Sequence, residues 1–221
     1  ALSILFLKHE GRPVPGERKS PMAETADGLR YVMNSPVVGG LILLSIMPFL
    51  FGLTINTLLP AFSTDVLQGG PDDLGFLMTG MGAGAIVGSL VLAKMGNVHN
   101  KGYWLIATGA LWGLMVALFA LSETFVTATL YIAIIGFISA VNMSMNRSLV
   151  QLQVEQHMRG RIMSIDMMSH GLMPLGVLPI GYIAETVSIS AGLVTSGIIL
   201  CLSTLLLGTL MPKVRAINIG Y

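Results

Sequence analysis

Charge is what this chain has least of: Lys, Arg, Asp and Glu make up 10% of its 221 residues. So few charges cannot solvate the surface of a soluble domain. With 53% apolar residues and a mean hydropathy of +0.78, the lipid bilayer becomes the natural solvent. Cysteine is nearly absent too. Cys201 stands alone in an apolar run, which removes any disulfide framework, Cys-based metal spacing or thiol chemistry. There is no nucleophile turn, phosphate loop or HExxH pair, and His9, His99 and His157 sit in polar connections without partners at ligand spacing. Catalysis, a metal, a cofactor and nucleic-acid binding all lack sequence support, so the chain does not read as an enzyme.

What is present is a series of apolar runs. Residues 37–59, 74–93, 103–121, 126–148, 165–184 and 191–211 are each long enough to span a bilayer as a helix. None shows the period-2 alternation of an outer-membrane barrel, and none has the full polar face of a soluble bundle helix. An earlier run, residues 1–7 (ALSILFL), is too short to span and reads as the end of a helix that begins upstream, so the chain reads as a fragment or a processed piece. The first 35 residues are therefore expected to hold that helix end and a Pro-rich polar linker. A six-helix bundle should occupy 36–212 and a polar tail 213–221.

The net charge of +1 conceals a strict sorting. When connections are assigned alternately to two sides, all twelve Lys and Arg fall on one side, from Lys8 through Lys94, Lys101, Arg147, Arg159 and Arg161 to Lys213 and Arg215. The other side receives Asp65, Asp72, Asp73, Glu123 and Glu185. The positive-inside rule predicts a cytoplasmic basic side with both ends of the chain inside, in a bacterial inner membrane.

The polar residues inside the spans are the candidate site. Asn56 lies near the acidic end of the first span, which Pro48, Gly52 and Pro60 weaken; Ser139, Asn142 and Asn146 lie toward the basic end of the fourth. Amides in lipid turn inward, where they bond a neighbouring helix or line a polar cavity. The fifth span holds Gly171, Pro174, Gly176, Pro179 and Gly181, with Asp166 and His170 one turn apart at its inner end. An acid and an imidazole so placed can take up and release a proton; Asp166 could instead cap its helix or pair with Arg161 or Arg147. Gly80, Gly84 and Gly88 recur every four residues, forming a smooth stripe for close helix packing.

Two runs, LGFLMTGMGAGAIVGSLVLAKMGN (74–97) and LVQLQVEQHMRGRIMSI (149–165), resemble the eighth helix and the loop between helices ten and eleven of the major facilitator superfamily. The likeness is to its efflux subgroup, the one with the enterobactin exporter and related drug exporters. It covers nearly the whole chain, as the C-terminal six helices with the central linker and the tail of helix six. In such a half the first and fourth helices line the cavity, the second and fifth meet the other half, and the third and sixth are scaffold. The resemblance therefore implies that Asn56 and Asn142 face substrate, that the Gly80/Gly84/Gly88 stripe and the Pro-broken fifth helix meet the N-terminal half, and that the Trp-bearing helix faces lipid. One departure matters. Gly88 is followed by Ser89, Leu90, Val91 and Leu92, without the acid usual in that loop, which leaves Arg159, Gly160 and Arg161 as the better cytoplasmic gate.

The resulting expectation is an all-α membrane protein, half of a secondary transporter that exports small amphipathic molecules by proton-driven alternating access. Two other readings stay open: a non-transporting assembly or sensor subunit, and a six-helix unit that transports as a homodimer.

Overall fold

The computed structural model describes residues 21–95 and 100–217. The 1–7 run, the linker before residue 21, His9, His99 and the last four residues lie outside the described residues. Among the described residues, six helical stretches are long and apolar enough to cross a membrane: Pro36–Val66, Pro71–Lys94, Lys101–Ala120, Phe125–Gln153, Arg159–Thr186 and Ile189–Leu210. The expected all-α, six-span architecture is what forms. In lipid a helix is the one single-segment structure that satisfies its own backbone, so each apolar run has little alternative.

In chain order, α1 (Pro21–Asn34) is a helix of the linker, and the first span comprises α2 (Pro36–Met47), a π-turn at Pro48–Gly52, α3 (Thr54–Ala61) and a second π-turn at Phe62–Val66. Then come α4 (Pro71–Met95), α5 (Lys101–Ala120) and α6 (Phe125–Gln153). The fifth span is α7 (Arg159–Ser169), a 3-10 turn at His170–Leu172 and α8 (Met173–Thr186); α9 (Ile189–Leu210) and the short α10 (Pro212–Arg215) follow. Pro36 and Pro212 open α2 and α10, where a missing N–H costs nothing. Thr124 and Ser188 cap α6 and α9, their hydroxyls accepting from Thr127 N (3.2 Å) and Ala191 N (3.0 Å).

Pro48 has the effect its chemistry predicts. It removes a donor, the helix widens into a π-turn closed by Leu53 N to Pro48 O (2.9 Å), and the displaced carbonyls are served by hydroxyls. Thr54 Oγ1 donates to Leu50 O at 2.9 Å, and Ser196 Oγ, from α9, donates to Phe51 O at 2.6 Å. The irregular backbone is thereby fastened to its neighbour rather than left unsatisfied.

Glycines set the closest helix contacts. A Cβ at Gly84 would run into the Ala133 carbonyl oxygen of α6, and one at Gly88 would lie 2.5 Å from that of Phe137. Gly136 of α6 answers against Met81, while Gly113 of α5 and Gly197 of α9 meet each other's backbone, each Cβ falling 2.5 Å from the other's carbonyl oxygen. The resemblance turned the Gly80/Gly84/Gly88 stripe toward another half; here it faces α6 of the same bundle, because only glycine admits the α6 backbone at that distance. Away from that stripe α4 carries the exposed Met78, Ile86 and Leu90, and Phe76 and Val87 beside it are exposed as well.

Two apolar clusters fill the bundle. One joins Leu41, Leu44, Leu105, Met145, Leu149 and Val214 toward the basic end; the other joins Ile55, Phe62, Trp112, Phe119 and Ile132 toward the acidic end. Trp112 corrects the expectation of a lipid-facing indole. It is 1% exposed and its ring seats 3.0 Å from where a Gly52 Cβ would stand, so the small residue at the π-turn draws it inward. Trp104 does stay exposed.

Gly84→Val is expected to lower the unfolding free energy by about 1–3 kcal/mol through overpacking against α6. Gly82→Ala, on the same helix with nothing within 4 Å of a new Cβ, should stay within about 0.5 kcal/mol of the parent. Reversible unfolding in mixed micelles measures both; a destabilised Gly82→Ala would mean that the exposed face of α4 is covered.

Candidate functional site

Between the two clusters the first, fourth and fifth spans present polar groups to one another. Ser45 sits on α2 one turn before Pro48, Asn142 and Asn146 lie one turn apart on α6, and Asp166 lies in the third turn of α7. They line one small cavity with Pro48, Phe49, Met143 and Arg147. Its volume of about 10 Å³ is the scale of a single water-sized guest.

Asp166 is 3% exposed and accepts a hydrogen bond from Ser45 Oγ to Oδ1 at 2.5 Å. This corrects the simpler expectations for it. Too far along α7 to cap it, Asp166 is also free of any ion pair with Arg161 or Arg147 among the described residues. Arg161 is engaged elsewhere. Its guanidinium reaches Glu24 Oε1 at 3.4 Å and Asp27 Oδ2 at 3.9 Å, both on α1, beside the contact of Gly28 with Ile165. Arg147 lines the cavity with its side chain exposed, so a positive charge stands at the mouth of a site whose carboxylate is buried.

The two amides are fixed by chemistry. Asn142 Nδ2 donates to Leu105 O and Thr108 Oγ1, each at 2.9 Å, and Asn146 Nδ2 donates to Leu41 O at 3.0 Å. A carbonyl oxygen requires an N–H opposite, so each nitrogen is committed to α5 or α2. Each Oδ1 remains an acceptor on a residue that lines the cavity. Asn142 and Asn146 are 3% and 4% exposed. They therefore tie helices together and still present an acceptor to a guest.

The other expected residues are dispersed. Ser139 is buried and its hydroxyl bonds back to Gly136 O at 2.9 Å, within its own helix. Asn56 is exposed on α3, away from the cavity. His170 begins the 3-10 turn after α7, and its side chain lies outside the described residues. Arg159, Gly160 and Arg161 form the first turn of α7 rather than a loop, with Arg159 Nε bonded to Val154 O at 3.2 Å. Ser45 is the participant that sequence reading missed. Its one signal was a hydroxyl three residues ahead of a proline within an apolar run, LILLSIMP.

The family model described as transmembrane secretion effector matches residues 4–219. Among curated proteins, the chain is similar to the enterobactin exporter EntS of Shigella boydii serotype 18 (strain CDC 3083-94 / BS512) and of serotype 4 (strain Sb227), and to that of Escherichia coli O81 (strain ED1a). Each is 28% identical over 150 residues, which is 68% of this chain and 36% of the relative. The matched region thus spans about a third of the length of those relatives. No solved structure matches at a significant level.

The Ser45–Asp166 bond is expected to carry a coupling energy of about 0.6–1.7 kcal/mol, the range measured for hydrogen bonds between helices in membranes. A double-mutant cycle of Ser45→Ala and Asp166→Leu, read by unfolding in mixed micelles, measures it. Strict additivity would show that the contact contributes nothing.

Proposed function

This chain belongs to the transmembrane secretion effector family of the major facilitator superfamily, and from that premise we propose that it is the C-terminal half of a proton-driven exporter of small amphipathic molecules. The observation that carries the reading is a buried carboxylate, Asp166, held at the seam of three membrane-crossing spans in a cavity that also holds two amide acceptors. Charged groups are costly in lipid, and one kept at such a position is a functional candidate by default.

One proton changes the bonding at that seam. Ionised, Asp166 only accepts, and Ser45 donates to it across the α2–α7 interface. Protonated, it gains a donor of its own, and the cavity offers the Oδ1 acceptors of Asn142 and Asn146. The contact between the first and fifth spans thereby responds to the proton that the gradient supplies. Arg147 stands at the cavity mouth, on the way from Asp166 to the basic side.

The rest of the transporter reading follows from placement. The basic end, with Lys101, Arg159, Arg161, Lys213 and Arg215, is cytoplasmic by the positive-inside rule, and the membrane is the bacterial inner membrane. The exposed apolar faces of α4 and of α8, where Leu175, Leu178 and Tyr182 stand out, are surfaces for an N-terminal six-helix half. Rocking of one half against the other alternates access to a central cavity, on which the exposed Asn56 borders, while Asn142 and Asn146 act from within the bundle at the Asp166 cavity. Substrates of siderophore or drug type are proposed from the name of the relatives, the enterobactin exporter. Arg161, tied to α1, is the proposed gate residue on the cytoplasmic side.

Asp166→Asn keeps the shape of the side chain and removes its proton exchange. In the full-length protein in proteoliposomes it should abolish uphill efflux driven by a pH gradient while leaving downhill substrate flux within about threefold of the parent. Uphill efflux at parental rates would remove the coupling role.

A second outcome concerns the cavity. With Cys201→Ser as background, Asn56→Cys should react with a membrane-impermeant thiol reagent, and substrate should slow that reaction. Complete inertness would favour a packed, non-transporting assembly.

A further inference from the structure

We propose that the groove between α1, α2 and the end of α9 is a binding site for one anionic phospholipid of the inner leaflet. The groove has a volume of about 680 Å³, within the range of small-molecule sites. Its walls are apolar: Leu29, Val32 and Met33 from α1, Ile42 and Leu43 from α2, and Leu210 from α9, with Lys213 of α10 closing the rim. Leu29, Met33, Leu43 and Leu210 are exposed within it.

Position and charge together name the occupant. The lining runs from Pro36 to Leu43, the first two turns of the first span, and from Leu210 to Lys213 past the end of the sixth, so the groove starts at the level where two spans leave the membrane at the basic end. Lys213 stands at its rim, with Arg215 exposed two residues on. Among the described residues, no acidic group pairs with Lys213 or Arg215. An apolar slot ending in unpaired cations at headgroup depth matches a molecule with an acyl chain and a phosphate diester, and the bilayer supplies that molecule at the site. The acids of α1 do not oppose it. Glu24 and Asp27 are turned to Arg161 on α7, while Leu29, Val32 and Met33 face the groove. A seated lipid therefore joins α1 to α2 and α9 on one side, as the ion pairs join it to α7 on the other.

The test uses the full-length protein in nanodiscs of equal phosphatidylglycerol and phosphatidylcholine, released for native mass spectrometry. The parent should retain one phosphatidylglycerol in preference to phosphatidylcholine. Lys213→Gln should reduce that preference about fivefold, the weight of one interfacial cation. Leu43→Trp, which fills the slot and leaves the cations in place, should abolish retention of both lipids; both variants should keep the parental unfolding temperature. Retention unchanged in the two variants overturns the proposal. So does a photoreactive group at position 43 that crosslinks to protein instead of lipid, because the slot is then filled by this chain or by a partner.

Discussion

Helices in lipid gain nothing from hiding apolar surface from one another, so this bundle depends on how closely their backbones can approach. That approach is set at a few glycines. Gly84 and Gly88 admit α6 to α4, Gly136 returns the contact, Gly113 and Gly197 bring α5 to α9, and Gly176 of α8 meets the Leu50 carbonyl of the first π-turn. At each, a methyl group would collide with backbone, which cannot move aside as a side chain can. The third and sixth spans, which carry no charged residue after Lys101 at the start of α5, are held by this means.

The same constraint explains where polarity is allowed. A polar group within the bundle must find its partner on another helix or on its own backbone, and the polar groups between the first, fourth and fifth spans do so, whereas the buried Ser63 hydroxyl and Trp112 indole N–H have none among the described residues. Thr54 and Ser196 serve carbonyls of the π-turn, Asn142 and Asn146 serve Leu105 and Leu41, and Ser45 serves Asp166. The π-turn is thus less a defect than the place where the first span is bolted to α9 and α8. Asp166 differs from the others in one respect: it is an ionisable side chain, whereas amides, hydroxyls and carbonyls stay neutral.

Much of this was legible in the sequence, because composition and charge order are properties of the chain alone. The six spans, the kink at Pro48 and the segregation of Lys and Arg needed no coordinates. The start of α7 was not legible: MRGRIMSIDMMSH is too polar to extend an apolar run, and its helicity depends on α1 packing against it and on pairing with Glu24 and Asp27. The partners of Asn142 and Asn146 were not legible either, since a carbonyl acceptor leaves no mark in sequence. Nor was the face that the glycine stripe turns inward. A period of four shows that a helix can be approached closely, but which neighbour approaches is decided by the whole bundle.

The fifth span also shows why a buried carboxylate and a surface arginine on one helix act together. Its first part, α7, is fixed at two points, to α1 through Arg161 and to α2 through Asp166; its second part, α8, is fixed to the π-turn through Gly176. Between them lies the 3-10 turn His170–Leu172, followed by Pro174 in the first turn of α8. A short 3-10 stretch within a longer helix is a weak joint. On the proposed reading, protonation weakens the inner of the two anchors and leaves the outer one, Arg161 with its acids, as the pivot. The outer ion pair is partly solvated and screened by salt, whereas the buried bond is not. On that reading the anchor that a proton acts on is the one shielded from salt.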